Sequence, residues 1–403
     1  MYRPLRAPRT PRRRAITGVT LVEMMVALGI GLTLIAIILS VYVSTKGASR
    51  RQEQISSIQN SVRVAFEYLA TDARMIGHEG CHTRGTTPAS VENLDADSGA
   101  KPVARNFNIG VEGWDYKVTS AALTLDSDAP ANTESAGDFE ESIGATPSIR
   151  TIPLGDISPD GVTPGSDVLV MRSVSGRPIR LLSDAPIGTS VPIEKVAGTA
   201  CAPGSSTNKI SGFCTSSYGL IAGCATAQYF RVSSIAADTG AITTTTNLAK
   251  AYDTSAEVFP AHTVAYYVRL GSNGTSPSLY RRTFDGTDNA GVEEELIEGV
   301  ESLQVRYGVD TNADGAIDNI DTDGDGAADG KYAPAHLITT WSNVVAVRMS
   351  LLLRSDSVVD SSLTLPTSTP MNGLTITYPT GGGRFDRRVF TTTVALRNKV
   401  AYY

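Results

Sequence analysis

The stretch Arg12-Arg13-Arg14-Ala15-Ile16-Thr17-Gly18-Val19-Thr20-Leu21-Val22-Glu23 decides how this chain is read. A basic leader ends in Gly18. An apolar run follows, with one acid, Glu23, as the fifth residue after the glycine. From Met24 to Thr45 no side chain is charged, a span of 22 residues. A helix needs roughly 20 to cross a bilayer. A carboxylate at the edge of such a run costs a few kcal/mol in lipid, so its presence points to function. An ordinary secretory signal has a shorter apolar core, with its small-residue cleavage site after that core. Here the run is longer and the glycine stands before it. A plain membrane anchor has no reason to hold an acid in its first turn. Twin-arginine export fits poorly too, because an uninterrupted span of this length resists release.

Charge is divided unevenly. Six of the 35 Lys and Arg residues lie in residues 1–18, which contain no acid; the other 29 stand against 41 Asp and Glu, a balance of −12. Positive charge before the span and acid after it places the leader in the cytoplasm and the bulk outside. The acidic exterior argues against a non-specific phosphate-binding surface, so no nucleic-acid partner is expected. The length of 403 residues suits one membrane helix plus one large or two small globular domains.

The four cysteines, Cys81, Cys201, Cys214 and Cys224, all lie beyond the span. In an oxidising compartment they read as two disulfides, with three pairings open. The favoured one closes a local loop, Cys201–Cys214, and a long-range staple, Cys81–Cys224. The spacings do not suggest zinc. His78, His82, His262 and His336 are scattered, and the first two read as turn residues.

Helical periodicity continues past the span. Ile55, Ile58, Val62, Phe66 and Leu69 recur at steps of three and four, one apolar stripe on a helix. Gly77 and Gly80 stop it. One helix from about Thr20 to about Ile76 would be roughly 85 Å long. The alternative is two helices broken near Gly47-Ala48-Ser49. Gly29 and Gly31 would allow close helix approach within the span. After Cys81 the chain turns rich in Gly, Pro, Ser, Thr and Asp. Short β-like runs include 168–171, 264–268, 303–307 and 344–349, separated by turn clusters. Residues 83–164 are loop-heavy.

Residues 310–329 hold seven aspartates. Oxygen side chains fall at alternate positions, then comes Gly, then another Asp. Calcium takes six to eight hard oxygen ligands, and this spacing supplies them. In a first loop the ligands would be Asp310, Asn312, Asp314, the Ala316 carbonyl, Asp318 through water, and Asp321 as the closing carboxylate. In a second they would be Asp321, Asp323, Asp325, the Ala327 carbonyl and Asp329. Asp321 could serve only one site fully. The closing residue is Asp and not Glu, and the flanks read as strand and coil. The segment therefore resembles the Asp-rich calcium loops of thrombospondin type 3 repeats and dockerins more than a sensor EF-hand. A structural ion that orders the loop is expected; the rival reading is a solvated acidic loop.

The N-terminal pattern resembles a type IV prepilin. Three further segments narrow the resemblance: 296–308, 347–355 and the Thr-rich Arg387–Asn398. Together they look like the PilW family of type IV minor pilins, related to the J-class minor pseudopilins of type II secretion. The resemblance covers the first 80 residues and most of the last 150, leaving about 85–260 uncovered. It implies an α+β, pilin-like fold, with a long helix packed on a β-rich head. The parts would be a leader at 1–18, the helix at 19–77, and a head at 78–403 carrying the Asp-rich loop.

The resemblance also implies that a prepilin peptidase cuts after Gly18 and that the new N-terminus, Val19, is methylated. Glu23 would neutralise the N-terminal amine of a neighbouring subunit during assembly. Val19 stands where Phe is commonest, and Ser40 where many major pilins have Pro. The implied role is a minor pilin that helps initiate type IV pilus assembly in a complex near the tip. Its partners would be other minor pilins, the major pilin, the peptidase and the inner membrane, before the head reaches the cell surface. A tip adhesin and a type II secretion pseudopilin are the alternatives, and adhesion and twitching motility are processes a lost pilus would affect. The sequence contains no Gly-x-Ser-x-Gly, no His-Glu-x-x-His and no phosphate loop, so no enzyme is read from it.

Overall fold

The computed structural model of the chain describes residues 18–82, 103–118, 122–125, 127–128, 131–132, 134, 138–140, 153–158, 161–175, 177–201, 208–286, 291–321, 326–359, 364–379 and 383–399. The basic leader and much of the loop-heavy 83–164 stretch lie outside these. The chain divides into two units, Met1–Glu53 and Gln54–Tyr403.

The helix α1, Leu21–Met75, carries no break at Gly47-Ala48-Ser49. Thr20 starts it: its carbonyl accepts from Met24 N, and its hydroxyl accepts from Glu23 N at 3.2 Å. A threonine followed three residues later by glutamate is the sequence form of a capping box. In the first unit the hydroxyls inside the apolar run turn back on the helix. Thr33 donates to the Ile30 carbonyl at 2.8 Å and Ser40 to the Ile37 carbonyl at 2.8 Å, so neither is left unsatisfied. The helix ends where Gly77 and Gly80 adopt left-handed φ of 74° and 64°.

The second unit is built from eighteen described strands. They begin with β1 Val111–Trp114, β2 Ala122–Thr124, β3 Val168–Val174, β4 Ile179–Arg180, β5 Ser190–Val191 and β6 Ala197–Ala200. Then come β7 Asn208–Ile210, β8 Tyr218–Ala222, β9 Ala227–Ile235, β10 Ile242–Thr244, β11 Glu257–Leu270 and β12 Pro277–Phe284. The last are β13 Val292–Glu298, β14 Val300–Val309, β15 Val344–Arg354, β16 Ser368–Met371, β17 Leu374–Thr377 and β18 Arg387–Ala395. A ten-stranded sheet runs β1-β3-β11-β8-β9-β10-β5, with β12 and β13 continuing from β11 and with β4 also on β11. A separate antiparallel sheet is β14-β15-β18. The four β-like runs read from the sequence lie in β3, β11, β14 and β15.

β11 explains why these strands are apolar throughout. Val264, Tyr266 and Val268 face one core, while Ala265 and Tyr267 face another. Side chains alternate across a strand, so a run buried on both faces shows no alternation in sequence. The first core joins α1, one face of the large sheet, and the β14-β15-β18 sheet. From α1 it takes Ile58, Val62, Ala65, Leu69, Ala70 and Ala73. Of the stripe read from periodicity, Ile58, Val62 and Leu69 are buried and half-buried Phe66 packs against the same core, while Ile55 is half-buried and not part of it. Alanines are added to the stripe, small side chains that let the helix backbone approach the sheet.

Candidate functional site

Around the Gly18–Val19 junction the chain is exposed, and Glu23 lies in the first turn of α1. An acid there complements the positive end of the helix dipole. The helix is long and apolar enough to cross a membrane, and none of its most apolar window is buried. Large side chains such as Leu28, Ile35 and Ile38 are all more than half exposed. In water such a surface would be unstable; it needs lipid or other apolar helices.

At the other end, α1 is held by polar groups that come from far along the chain. Asp72 meets Arg281 and Tyr266. Asn398 donates to the carbonyls of Arg74 and Ile76, at 2.9 and 3.3 Å, capping groups that a helix end leaves unpaired. Gln54 and Ser57 bond Ser357 and Asp356. Cys81, just past the helix, is joined to Cys224, and Cys201 to Cys214. This is the pairing favoured from sequence. His82 is not a plain turn residue: it is buried, with Nδ1 2.9 Å from Glu79.

Residues 265–398 match the family model for Type IV Pilus-assembly protein W, PilW. Over this span the chain is similar to the PilW family of pilus proteins. No curated protein and no solved structure matches it. The PilW span holds the whole β14-β15-β18 sheet, the Asp-rich loop, and both Arg281 and Asn398. It therefore supplies much of the surface that grips the end of α1. The N-terminal residues of the resemblance read from sequence lie outside the matched span, as do all four cysteines. The match supports a role related to type IV pilus assembly.

Within the PilW span the Asp-rich loop is folded by its own carboxylates. Asp310 accepts from Ala313 N at 2.7 Å and from Gly315 N at 2.9 Å. Asp321 repeats the second bond, accepting from Gly326 N at 2.9 Å. Both glycines have left-handed φ, 84° and 88°. A carboxylate bonded to a left-handed glycine five residues on thus occurs twice, eleven residues apart. Asp321 Oδ2 is thus bonded to the second of these glycines. Asp318 accepts from Thr311 N at 2.7 Å, and its pKa is lowered chiefly by the Thr311 hydroxyl and amide. The Asn312 amide donates to Asp314 Oδ2 at 3.2 Å and Asp318 Oδ1 at 3.3 Å. Asp323 and Asp325 lie outside the described residues. Among the described ones, no three His, Cys, Asp or Glu side chains converge as a metal site.

Several buried charges carry no motif and escape a sequence reading. Arg172 on β3 and Glu112 on β1 are fully buried and paired at 2.8 Å. Arg172 also donates to the Val103 and Ile109 carbonyls. Asp167 accepts from Tyr116 N at 3.0 Å and Val305 N at 2.8 Å, bolting the large sheet to β14. Burial, and then nearby Asp115, push its pKa well up. Arg387 pairs with Glu301 at 2.7 Å and also with Asp128. These are long-range pairs, so no local spacing announces them.

Proposed function

We propose that this protein is a minor pilin that helps initiate type IV pilus assembly, within a minor-pilin complex near the pilus tip. One combination carries the reading: an exposed apolar helix just after Gly18-Val19 with Glu23 in its first turn, on a chain with a PilW span. Cleavage after Gly18 would free the amine of Val19, which would then be methylated. Glu23 of one subunit would pair with the amine of the next. In low dielectric such a pair is strongly favourable and an unpaired charge is costly, so the pair would fix register as subunits leave the membrane. No catalytic role is assigned. The head would lie in the periplasm and then on the cell surface, where its disulfides persist. The partners would be the other minor pilins, the major pilin and the prepilin peptidase.

The Asp-rich loop is proposed to bind structural calcium. The donors of Asp310, Asn312, Asp314, Asp318 and Asp321 are the hard oxygens calcium takes. Asn312 supports this, since its amide hydrogens stand between two carboxylates where a cation would relieve their repulsion.

A deletion of the gene tests the main reading, scored by shearing surface pili and blotting for the major pilin. Loss of pili, restored by the wild-type gene, is expected. Normal pili with lost attachment would make it an adhesive tip module. Normal pili with a secretion defect would make it a pseudopilin.

A further inference from the structure

A cavity of about 590 Å³ opens on the large sheet, on strands outside or at the start of the PilW span. Its origin is topological. On one flank of β11, Ala261 pairs with Val174 of β3, and Val258 with Ile179 of β4. Between them Phe259 and Pro260 have no ladder partner on this flank among the described strands. Pro260 has no N–H, so the gap strands no ladder donor, and its carbonyl accepts from Ser175 N at 2.8 Å. The opposite wall comes from the β6–β7 hairpin and the turn after it, joined by Cys201–Cys214. Gly212 in that turn has φ of 83°, and a Cβ there would stand 2.9 Å from Pro260 Cγ. Only glycine lets the turn close on the strand. The turn is therefore held against Pro260.

The lining is mostly apolar, from Pro178, Ile179, Val196 and Pro260. His262 is among the polar groups that line it, with Ser211, Ser217 and Thr283. Its Nε2 lies 3.3 Å from the Ser173 hydroxyl, and burial lowers its pKa, so the ring is neutral at pH 7. At the rim, Lys209 and Asp285 pair at 3.5 Å. Arg177 and Glu194 are exposed, and their side chains have no partner among the described residues. An unspent cation and an unspent anion thus border one apolar floor.

The volume falls in the range of ligand pockets. A small anion or cation would answer only one of the two charges, and a neutral sugar neither. A polypeptide carries an apolar side chain with charges of both signs beside it, and interface energy concentrates in such anchored side chains. We propose that this cavity receives an extended polypeptide segment of another subunit, seating one large apolar side chain over Pro260 and His262, with an acid against Arg177 and a base against Glu194. The proposal rests on the pilus-subunit reading only for where the segment comes from.

The test uses the mature chain in detergent micelles with ¹³C-labelled histidine. Four histidines give four signals, and His262→Gln assigns the one that matters. The probes are the capped tripeptides acetyl-Glu-Phe-Lys-amide and acetyl-Lys-Phe-Glu-amide. A saturable shift of the His262 signal is expected at millimolar peptide, with one charge order preferred about 2- to 5-fold, the scale of an exposed ion pair. The double variant Arg177→Glu/Glu194→Arg should reverse that preference. No saturable shift with either peptide would overturn the proposal. So would equal shifts that ignore the charge reversal, or the same shift with indole alone, which would make this a site for small apolar molecules. The titration reads the cavity whether or not deletion abolishes pili, so the two readings fail separately.

Discussion

Asp72 near the end of α1 and Arg281 in β12 form an ion pair across 209 residues of sequence, with Asp72 Oδ2 3.0 Å from Arg281 Nε. The same oxygen accepts from the Tyr266 hydroxyl at 2.6 Å. Burial, then this carboxylate, drives the Tyr266 pKa far up, so the phenol stays protonated and donates. One carboxylate thus fastens the helix to two strands of the large sheet. Asp72→Ala would leave Arg281 and Tyr266 without this acceptor and should cost about 1.5–3 kcal/mol, as for hydrogen bonds to charged groups. Thermal unfolding of the head checks this, and Asp72→Asn, which keeps an acceptor, should lose less.

Glu23→Ala should leave membrane insertion intact and reduce incorporation into pili. Removing the acid makes the run more apolar, so insertion is not at risk. Equal amounts of mutant and wild-type protein in sheared filaments would refute the pairing role of Glu23. They would leave it as a capping-box residue worth about 1 kcal/mol or less.

The disulfides should differ in weight. Chain entropy gives Cys81–Cys224, which closes 143 residues, about 5 kcal/mol, and Cys201–Cys214, which closes 13, about 3 kcal/mol. Cys224→Ser should therefore lower the unfolding midpoint more than Cys201→Ser. A larger loss from Cys201→Ser would mean that the short loop does more than constrain the unfolded chain.

Calcium should protect the loop at 310–329. With millimolar calcium the purified head should unfold at a higher temperature and resist proteolysis there, and chelation should reverse both. Asp310→Ala should abolish the response. An unchanged midpoint with and without calcium would leave the loop as a solvated acidic turn.

His262 gives a pH signature. Its folded pKa is lowered from 6.5, mainly by burial. As pH falls through about 6.5 the unfolded chain takes up a proton that the folded one refuses, so stability falls from there through the lowered folded value. Asp167 works in the opposite sense, since its raised pKa makes the folded state gain a proton first as acid is added. The difference in stability between wild type and His262→Gln across this window isolates the histidine, and it should shrink toward acid. A constant difference would show that His262 is as easily protonated as in the unfolded chain.

What the sequence determined by itself was local or compositional. The charge step at Gly18, the uncharged span and Glu23 need only counting, and a helix of period 3.6 follows from spacing. The runs in β3, β11, β14 and β15 were readable because strands buried on both faces are apolar throughout. The two left-handed glycines of the Asp-rich loop follow the alternating oxygen pattern. Only the tertiary structure decided which helix residues are core: Ala65 and Ala73 are small enough to be ignored by periodicity, yet fully buried. It also decided the partners of Asp72, Arg172 and Asp167, the bond from Gly326 to Asp321, and the gap beside Pro260. Each depends on strand register and on which distant segments share a sheet. Those are set by packing of the whole chain and leave no spacing in any short window.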